Sequence, residues 1–98
     1  MNILIVEDEE PAALRLKKLV SEIEPEAKIL DVLVSVKSTI QWLKTNPAPD
    51  LILMDINLAD GLSFEIFSKI EVEVPVIFIT ASAKSFCIVD DIFFTLAA

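Results

Sequence analysis

The sequence predicts an α/β fold in which a mainly parallel sheet carries helices on both faces. Short apolar runs at residues 3–6 and 51–54 end directly in acidic residues, which is typical of buried parallel strands. Between such runs, apolar residues recur at helical spacing. The predicted order β-α-β-α-β-α-β requires crossover connections, and these place helices on both sides of a doubly wound sheet.

The first strand and the first helix have the clearest pattern. Residues 2–6 form the strand, and the helix covers residues 10–23 with Pro11 in its first turn, where the missing N–H costs nothing. Apolar residues at helical spacing define the predicted buried face of this helix. They are Ala12, Leu16, Leu19, Val20 and Ile23.

The second α/β unit and the third strand follow in order. Residues 28–34 form the second strand, and Ser35 is the predicted N-cap of the second helix. The proline-rich residues 46–49 end that helix, and residues 51–55 form the third strand.

The last part of the chain has a weaker pattern. Asp60-Gly61 is a turn signal, a third helix covers residues 63–70, and residues 76–80 form the fourth strand. The predicted core residues of the third helix are Phe64, Phe67 and Ile70. The apolar blocks in residues 82–98 fit a strand and a buried helix equally well, so the last α/β unit is predicted to be shortened or irregular.

Three acidic side chains follow the ends of two predicted strands. Glu7 and Asp8 come directly after the first strand, and Asp55 ends the third. Ligands of open α/β sheets bind outside the carboxyl ends of the strands, so these carboxylates converge if the two strands are neighbours. They repel one another, and oxygen ligands without His or Cys favour a hard cation. The sequence therefore predicts a Mg²⁺ site.

Composition argues against several classes of protein. The chain has 98 residues without an internal linker, which predicts a single domain over residues 1–98. Mean hydropathy is +0.63, but the longest apolar runs are about five residues, against the roughly 20 that span a bilayer. We therefore expect neither a membrane span nor a signal peptide. The net charge of −8 argues against direct binding of nucleic acid by this domain.

The scarce residue types limit the chemistry further. The chain has no His, which excludes His-based catalysis and His metal sites. Its one cysteine, Cys87, cannot form an internal disulfide, and this fits a cytoplasmic location. A single Gly leaves no room for a glycine-rich phosphate loop.

The chain resembles the receiver domain of response regulators in bacterial two-component signalling. The resemblance rests on residues 3–9 (ILIVEDE), residues 53–58 (LMDINL), Asp60-Gly61 and residues 76–81 (VIFITA). It covers residues 1–81, and residues 82–98 are atypical. The sequence is similar to receivers joined to LytTR-type DNA-binding domains. The resemblance implies a flavodoxin-like sheet with strand order 2-1-3-4-5.

The resemblance also implies a role for each candidate residue. Asp55 is the phosphoacceptor, a carboxylate nucleophile. Asp8 and Asp55 bind Mg²⁺, Glu7 acts on the metal mainly through water, and Asn57 offers its backbone carbonyl. Thr80 donates its hydroxyl to a phosphoryl oxygen. The phosphoryl group comes from a histidine kinase or a phosphotransfer protein, and such a domain signals rather than acting as an enzyme with turnover.

The chain departs from the family pattern after Ala81. Receivers usually carry a Lys-Pro pair at the end of the fifth strand, whereas no Lys follows Lys84 here. A frameshift or truncation, natural degeneration and engineering would each explain this departure. Two functions remain open: a phosphorylatable receiver, and a pseudo-receiver or dimerisation module that no longer switches. An exposed strand edge would favour a homodimer or a swapped dimer.

A phosphatase of the haloacid-dehalogenase type is a third candidate function. Such enzymes also use Mg²⁺ and an Asp nucleophile after a strand, but their motif is Asp-x-Asp-x-Thr or Val. Residues 55–59 read Asp-Ile-Asn-Leu-Ala, which lacks the second Asp and the final Thr or Val. This candidate therefore ranks far behind the other two.

Overall fold

The computed structural model describes residues 1–79 and, as backbone alone, the short strand Phe93–Phe94. Within this part of the chain, the sheet elements and helices alternate much as the sequence predicts. In chain order the elements are β1 (Asn2–Val6), α1 (Glu10–Ile23), β2 (Lys28–Leu33), α2 (Val36–Thr45), β3 (Leu51–Asp55), β4 (Asn57–Leu58), β5 (Gly61–Leu62), α3 (Phe64–Lys69), β6 (Val76–Ile79) and β7 (Phe93–Phe94).

The main sheet has the order β2-β1-β3-β6-β7. Strands β2, β1, β3 and β6 are all parallel, so the predicted doubly wound fold is confirmed. Strand β7 pairs antiparallel to β6, with Val76 opposite Phe94, and is the irregular element of the sheet. Val6 lies opposite Met54, and Asp55 lies opposite Ile79.

Alternate residues of each strand pack against helices on opposite faces of the sheet. On one face, Ile3, Ile5 and Leu53 pack with Leu16 and Val20 of α1. The other face packs against α2 and α3. Its fully buried strand residues are Leu4, Val6, Ile52, Met54 and Val76. Burial of each large aliphatic side chain contributes roughly 1.5–3 kcal/mol, so these two layers position the strand ends firmly.

Helix α1 has the predicted bounds, but it packs against the sheet with a different face from the predicted one. The buried residues of α1 are Ala13, Leu16 and Val20, while Leu19 is 41% and Ile23 is 70% exposed. The prediction that Leu19 and Ile23 face the core is therefore wrong. Apolar residues occupy two adjacent stripes of this helix, and the sheet contacts only one of them.

Helix α2 begins where the sequence predicts. The Ser35 hydroxyl accepts a hydrogen bond from the Ser38 N–H at 3.0 Å, and the Ser38 hydroxyl accepts one from the Ser35 N–H at 3.2 Å. This reciprocal capping box satisfies two backbone donors that the helix itself leaves without partners.

Helix α3 is short, and its buried residue is not among those predicted. Ile66 is fully buried, whereas Phe64 is 49% exposed. The Phe64 ring still meets Phe78 edge to face, with ring centroids 5.1 Å apart. The core prediction for Phe64 is therefore wrong, because the helix turns Ile66 towards the sheet.

A small hairpin between β3 and α3 is absent from the predicted elements. Strands β4 and β5 pair antiparallel around a turn that contains Asp60, which agrees with the turn signal there. Gly61 has φ +145°, and a Cβ at this position would lie 3.0 Å from Glu65 Oε2. The backbone conformation therefore favours glycine at this position, whereas the exposed Glu65 side chain could move aside for a Cβ.

Among the described residues, no helix has the length and apolar character needed to cross a membrane.

Candidate functional site

The register of the sheet brings the three predicted carboxylates together. Because Val6 pairs with Met54, the following residues Glu7 and Asp55 lie side by side at the carboxyl ends of β1 and β3. One carboxylate oxygen from each of Glu7, Asp8 and Asp55 lies within 4.8 Å of the other two. The convergence expected from neighbouring strands is therefore present.

Two of these three carboxyl groups are buried. Glu7 is 5% and Asp55 is 7% exposed, whereas Asp8 is half-buried. The Glu7 N–H donates to the Leu33 carbonyl at 2.8 Å, and Glu7 Oε2 accepts from the Glu9 N–H at 3.2 Å. Asp55 Oδ1 is buried and has no hydrogen-bond partner among the described residues.

The electrostatics of this cluster favour bound positive charge. Burial, together with the neighbouring Asp55 charge, raises the pKa of Glu7 to about 7. Burial also raises the pKa of Asp55, and the Asp8 charge adds to this effect. Hydrogen bonds from the N–H groups of Asn57 and Ile56 act in the opposite direction. Carboxylates in such a site bind protons unusually well, and a metal ion can take the place of those protons.

The donor set fits a hard divalent cation. The three carboxylates supply oxygen ligands alone, and Asp55 Oδ1 is a buried acceptor that no described donor satisfies. An unpaired buried carboxylate oxygen is costly, so an ion that coordinates it would remove a penalty of the folded state. Mg²⁺ usually takes one or two protein carboxylates and keeps several water ligands, which suits a site beside the half-buried Asp8.

Of the two remaining predicted site residues, the structure describes Asn57 but not Thr80. Asn57 is the first residue of β4, two residues after Asp55, and its side chain is exposed. The role of its backbone carbonyl stays a prediction. Thr80 lies outside the described residues, immediately after Ile79, which pairs with Asp55. The role of Thr80 stays a prediction.

The sequence does not predict the contacts that two residues near the cluster make. Ser63 is fully buried, and its N–H donates to the Ile56 carbonyl at 2.8 Å, which ties α3 to the loop after Asp55. Asp60 accepts hydrogen bonds from the first turn of α2. The turn signal locates Asp60 on a tight turn, but nothing local indicates a partner more than 20 residues earlier in the chain.

The sequence profile described as the response regulator receiver domain matches residues 3–92. Comparison with curated proteins gives no match.

Several solved structures are similar to the chain. The N-terminal domain of a response regulator/sensory box/GGDEF 3-domain protein from Carboxydothermus hydrogenoformans is 27% identical. The match has a TM-score of 0.69 and covers 94% of this chain and 73% of that one. The receiver domain of PhyR from Erythrobacter litoralis is 32% identical, with a TM-score of 0.61 over 86% of this chain and 65% of that one.

The response regulator PhyR from Brucella abortus is 27% identical, with a TM-score of 0.68 over 82% of this chain. The match spans 33% of that protein's length, so this chain corresponds to about one third of it.

Proposed function

Because the chain belongs to the response regulator receiver domain family, we propose that it accepts a phosphoryl group on Asp55 in the presence of Mg²⁺. The observation that carries this proposal is the cluster of Glu7, Asp8 and Asp55, with carboxylate oxygens within 4.8 Å of one another. The Asp55 carboxylate is the proposed nucleophile, and its buried Oδ1, which has no partner among the described residues, would bind the metal.

The proposed reaction is a phosphoryl transfer between a histidine and Asp55. A lone pair of the Asp55 carboxylate forms the new O–P bond, and the P–N bond to the donor imidazole breaks. The electron pair of that bond stays on the imidazole nitrogen, and the product is an aspartyl phosphate. The donor is a histidine kinase or a phosphotransfer protein.

The residues around Asp55 have separate parts in this reaction. Asp8, Asp55 and the backbone carbonyl of Asn57 would hold the metal, and Glu7 would act on it mainly through water. Bound Mg²⁺ supplies positive charge that offsets the charge on the transferring group. Thr80 donates its hydroxyl to a phosphoryl oxygen. Asp55 must be ionised to attack, and a bound cation would favour that ionised form against the burial that raises its pKa.

The phosphorylated domain signals to a partner or an output domain and has no turnover of its own. We place this single domain over residues 1–98 and in the cytoplasm. The net charge of −8 supports a protein partner rather than nucleic acid for this domain.

The direction of β7 favours a second candidate, a pseudo-receiver or dimerisation module. Because β7 runs antiparallel to β6, its carboxyl end lies at the end of the sheet opposite to the acidic cluster. It is also the last strand in the sheet order, where a second copy of the chain can pair or exchange segments. Sedimentation at two protein concentrations tests this candidate, because a monomer at both would remove the dimer.

Incubation with Mg²⁺ and acetyl phosphate, followed by intact mass measurement, tests the proposed reaction. We expect a gain of one phosphoryl group that disappears in Asp55→Asn and in the presence of a chelator. Asp50→Asn, at the amino end of β3, is the matched control and should still gain the group. Folded protein that gains nothing would contradict phosphoacceptor function and favour the pseudo-receiver.

A further inference from the structure

Asp60 reaches from the β4–β5 turn to the first turn of α2. Its Oδ1 accepts a hydrogen bond from the Val36 N–H at 2.7 Å, and its Oδ2 accepts one from the Lys37 N–H at 3.2 Å. The Val36 hydrogen bond is the main cause that lowers the pKa of Asp60 below its ordinary value, so this carboxylate is ionised at neutral pH. An ionised carboxylate is also favoured by the positive end of a helix.

The contact from Asp60 restrains the backbone next to the acidic cluster. Asn57, whose carbonyl is a proposed metal ligand, begins β4 and lies opposite Leu62 in β5. The hairpin is so short that Asp60 is three residues from Asn57. Anchoring the turn to α2 therefore limits how far the Asn57 carbonyl can move.

The start of α2 is also tied to the other half of the cluster. Leu33 ends β2, shortly before α2, and its carbonyl accepts the Glu7 N–H at 2.8 Å. Residues 33–37 thus contact Glu7 on one side and Asp60 on the other. This segment braces the end of β1 against the hairpin that follows Asp55.

Capping of α2 does not depend on Asp60 alone. The Ser35 hydroxyl already accepts the Ser38 N–H, and Ser38 reciprocates. Asp60 takes the two earlier donors, Val36 and Lys37. Loss of Asp60 should therefore leave the helix formed but release the hairpin.

We propose that Asp60 is a positioning residue for the metal site: it anchors the β4–β5 turn to α2 and so holds the Asn57 carbonyl within reach of the ion. The inference rests on the proposed function, because it assumes that the acidic cluster binds Mg²⁺. Residues that orient metal ligands through hydrogen bonds commonly change metal affinity when they are replaced.

The test compares Mg²⁺ affinity among four proteins by two-dimensional NMR of backbone amides. The wild type, Asp60→Ala, Asp60→Asn and Asp50→Ala are titrated with MgCl₂ alone. Asp50→Ala is the matched control. Asp50 lies at the amino ends of β1 and β3, away from the acidic cluster, where its Oδ2 accepts the Asn2 N–H at 2.7 Å. This substitution removes the same charge and the same type of contact. The spectra report folding, and the amides of Val36 and Lys37 report the anchor itself.

We expect Asp60→Ala to weaken Mg²⁺ binding by about tenfold, the lower end of effects known for residues behind metal ligands. Asp60→Asn should fall between it and the wild type, because the amide oxygen still accepts one hydrogen bond without carrying charge. Asp50→Ala should bind like the wild type. An intermediate Asp60→Asn separates the hydrogen bond from a simple loss of negative charge.

Equal affinity of the wild type and a folded Asp60→Ala would overturn the inference and leave the proposed function standing. If Asp60→Ala does not fold, Asp60→Asn decides, and wild-type affinity in that variant would overturn the inference as well. An equal loss in Asp50→Ala would also overturn it, because overall charge would then explain the effect. A wild type that binds no Mg²⁺ would instead contradict the proposed function itself.

Discussion

Glu7 and Asp55 are two buried carboxyl groups at the ends of adjacent strands. Burial of both disfavours their ionised forms, and a neighbouring charge adds to this effect at each: Asp55 for Glu7, and Asp8 for Asp55. The residues that form the site therefore reduce the stability of the protein at neutral pH unless a proton or a cation is present. This conflict between stability and site chemistry is common where proteins bind metals.

The raised pKa of Glu7 predicts how stability depends on pH in the absence of Mg²⁺. The pKa of Glu7 is about 7 in the folded protein against an ordinary value of 4.5, so the folded state binds more protons between these values. The free energy of unfolding should therefore fall as pH rises from 4.5 to 7. Urea unfolding with a chelator measures this slope, which Glu7→Gln should flatten. A slope unchanged by Glu7→Gln would show that another group titrates.

Mg²⁺ should stabilise the folded protein through the same cluster. A ligand that binds only the folded state at about 100 times its Kd adds about 2.7 kcal/mol to the free energy of unfolding. Thermal unfolding with and without Mg²⁺ measures this gain, which should shrink strongly in Asp8→Asn. Because protons compete with the metal, the gain should be larger at pH 8 than at pH 6. Equal gains in wild type and Asp8→Asn would place the bound metal elsewhere.

Sequence reasoning finds Glu7, Asp8 and Asp55 because each follows a continuous apolar strand. The rule that parallel strands carry ligands at their carboxyl ends needs only the strand order to bring them together. Asp60 could not be found in this way. Its partners Val36 and Lys37 become neighbours only once the sheet and α2 are packed.

At the scale of single elements, local signals locate the starts of helices better than the faces they bury. Pro11 and Ser35 mark the first turns of α1 and α2 through backbone chemistry that involves only nearby residues. The face that a helix buries depends on what it packs against. The two adjacent apolar stripes of α1 show that periodicity alone cannot choose between them.

Loss of the Ser35 hydroxyl should destabilise the protein through the start of α2. Ser35→Ala removes the acceptor for the Ser38 N–H, and such a loss of an N-cap typically costs about 1 kcal/mol. Ser21→Ala is a suitable control, since among residues 1–79 the Ser21 hydroxyl bonds only the Lys18 carbonyl, on an exposed face of α1. Urea unfolding should show a clear loss for Ser35→Ala and little change for Ser21→Ala. Similar losses in the two variants would argue against the capping box.

A pair of matched substitutions tests which apolar residues the helices bury. Ile66→Val removes one methylene from a fully buried site and should cost about 0.5–1.5 kcal/mol. The same change at Ile23, which is 70% exposed, should alter the free energy of unfolding by less than about 0.5 kcal/mol. Chemical unfolding of both variants provides the comparison. A larger loss of unfolding free energy at Ile23 than at Ile66 would show that Ile23 is buried, as the apolar periodicity of α1 predicts.

At the scale of the whole molecule, the order of elements along the chain largely determines the topology. Parallel strands joined by helices permit few arrangements, because the crossovers are right-handed and cover both faces of the sheet. The direction of β7 follows no such rule. A two-residue strand far from its partner in sequence carries no local signal for parallel or antiparallel pairing. Only the structure shows that β7 pairs antiparallel with β6.

The identity of the phosphorylated residue is the most direct test of the account. Protein treated with Mg²⁺ and acetyl phosphate is reduced with borohydride, which converts an aspartyl phosphate into homoserine, and is then mapped by peptide mass spectrometry. We expect homoserine at position 55 of the wild-type chain and at no other Asp. Conversion at Asp8 or another Asp, or at none in folded protein, would contradict the proposal that Asp55 is the phosphoacceptor.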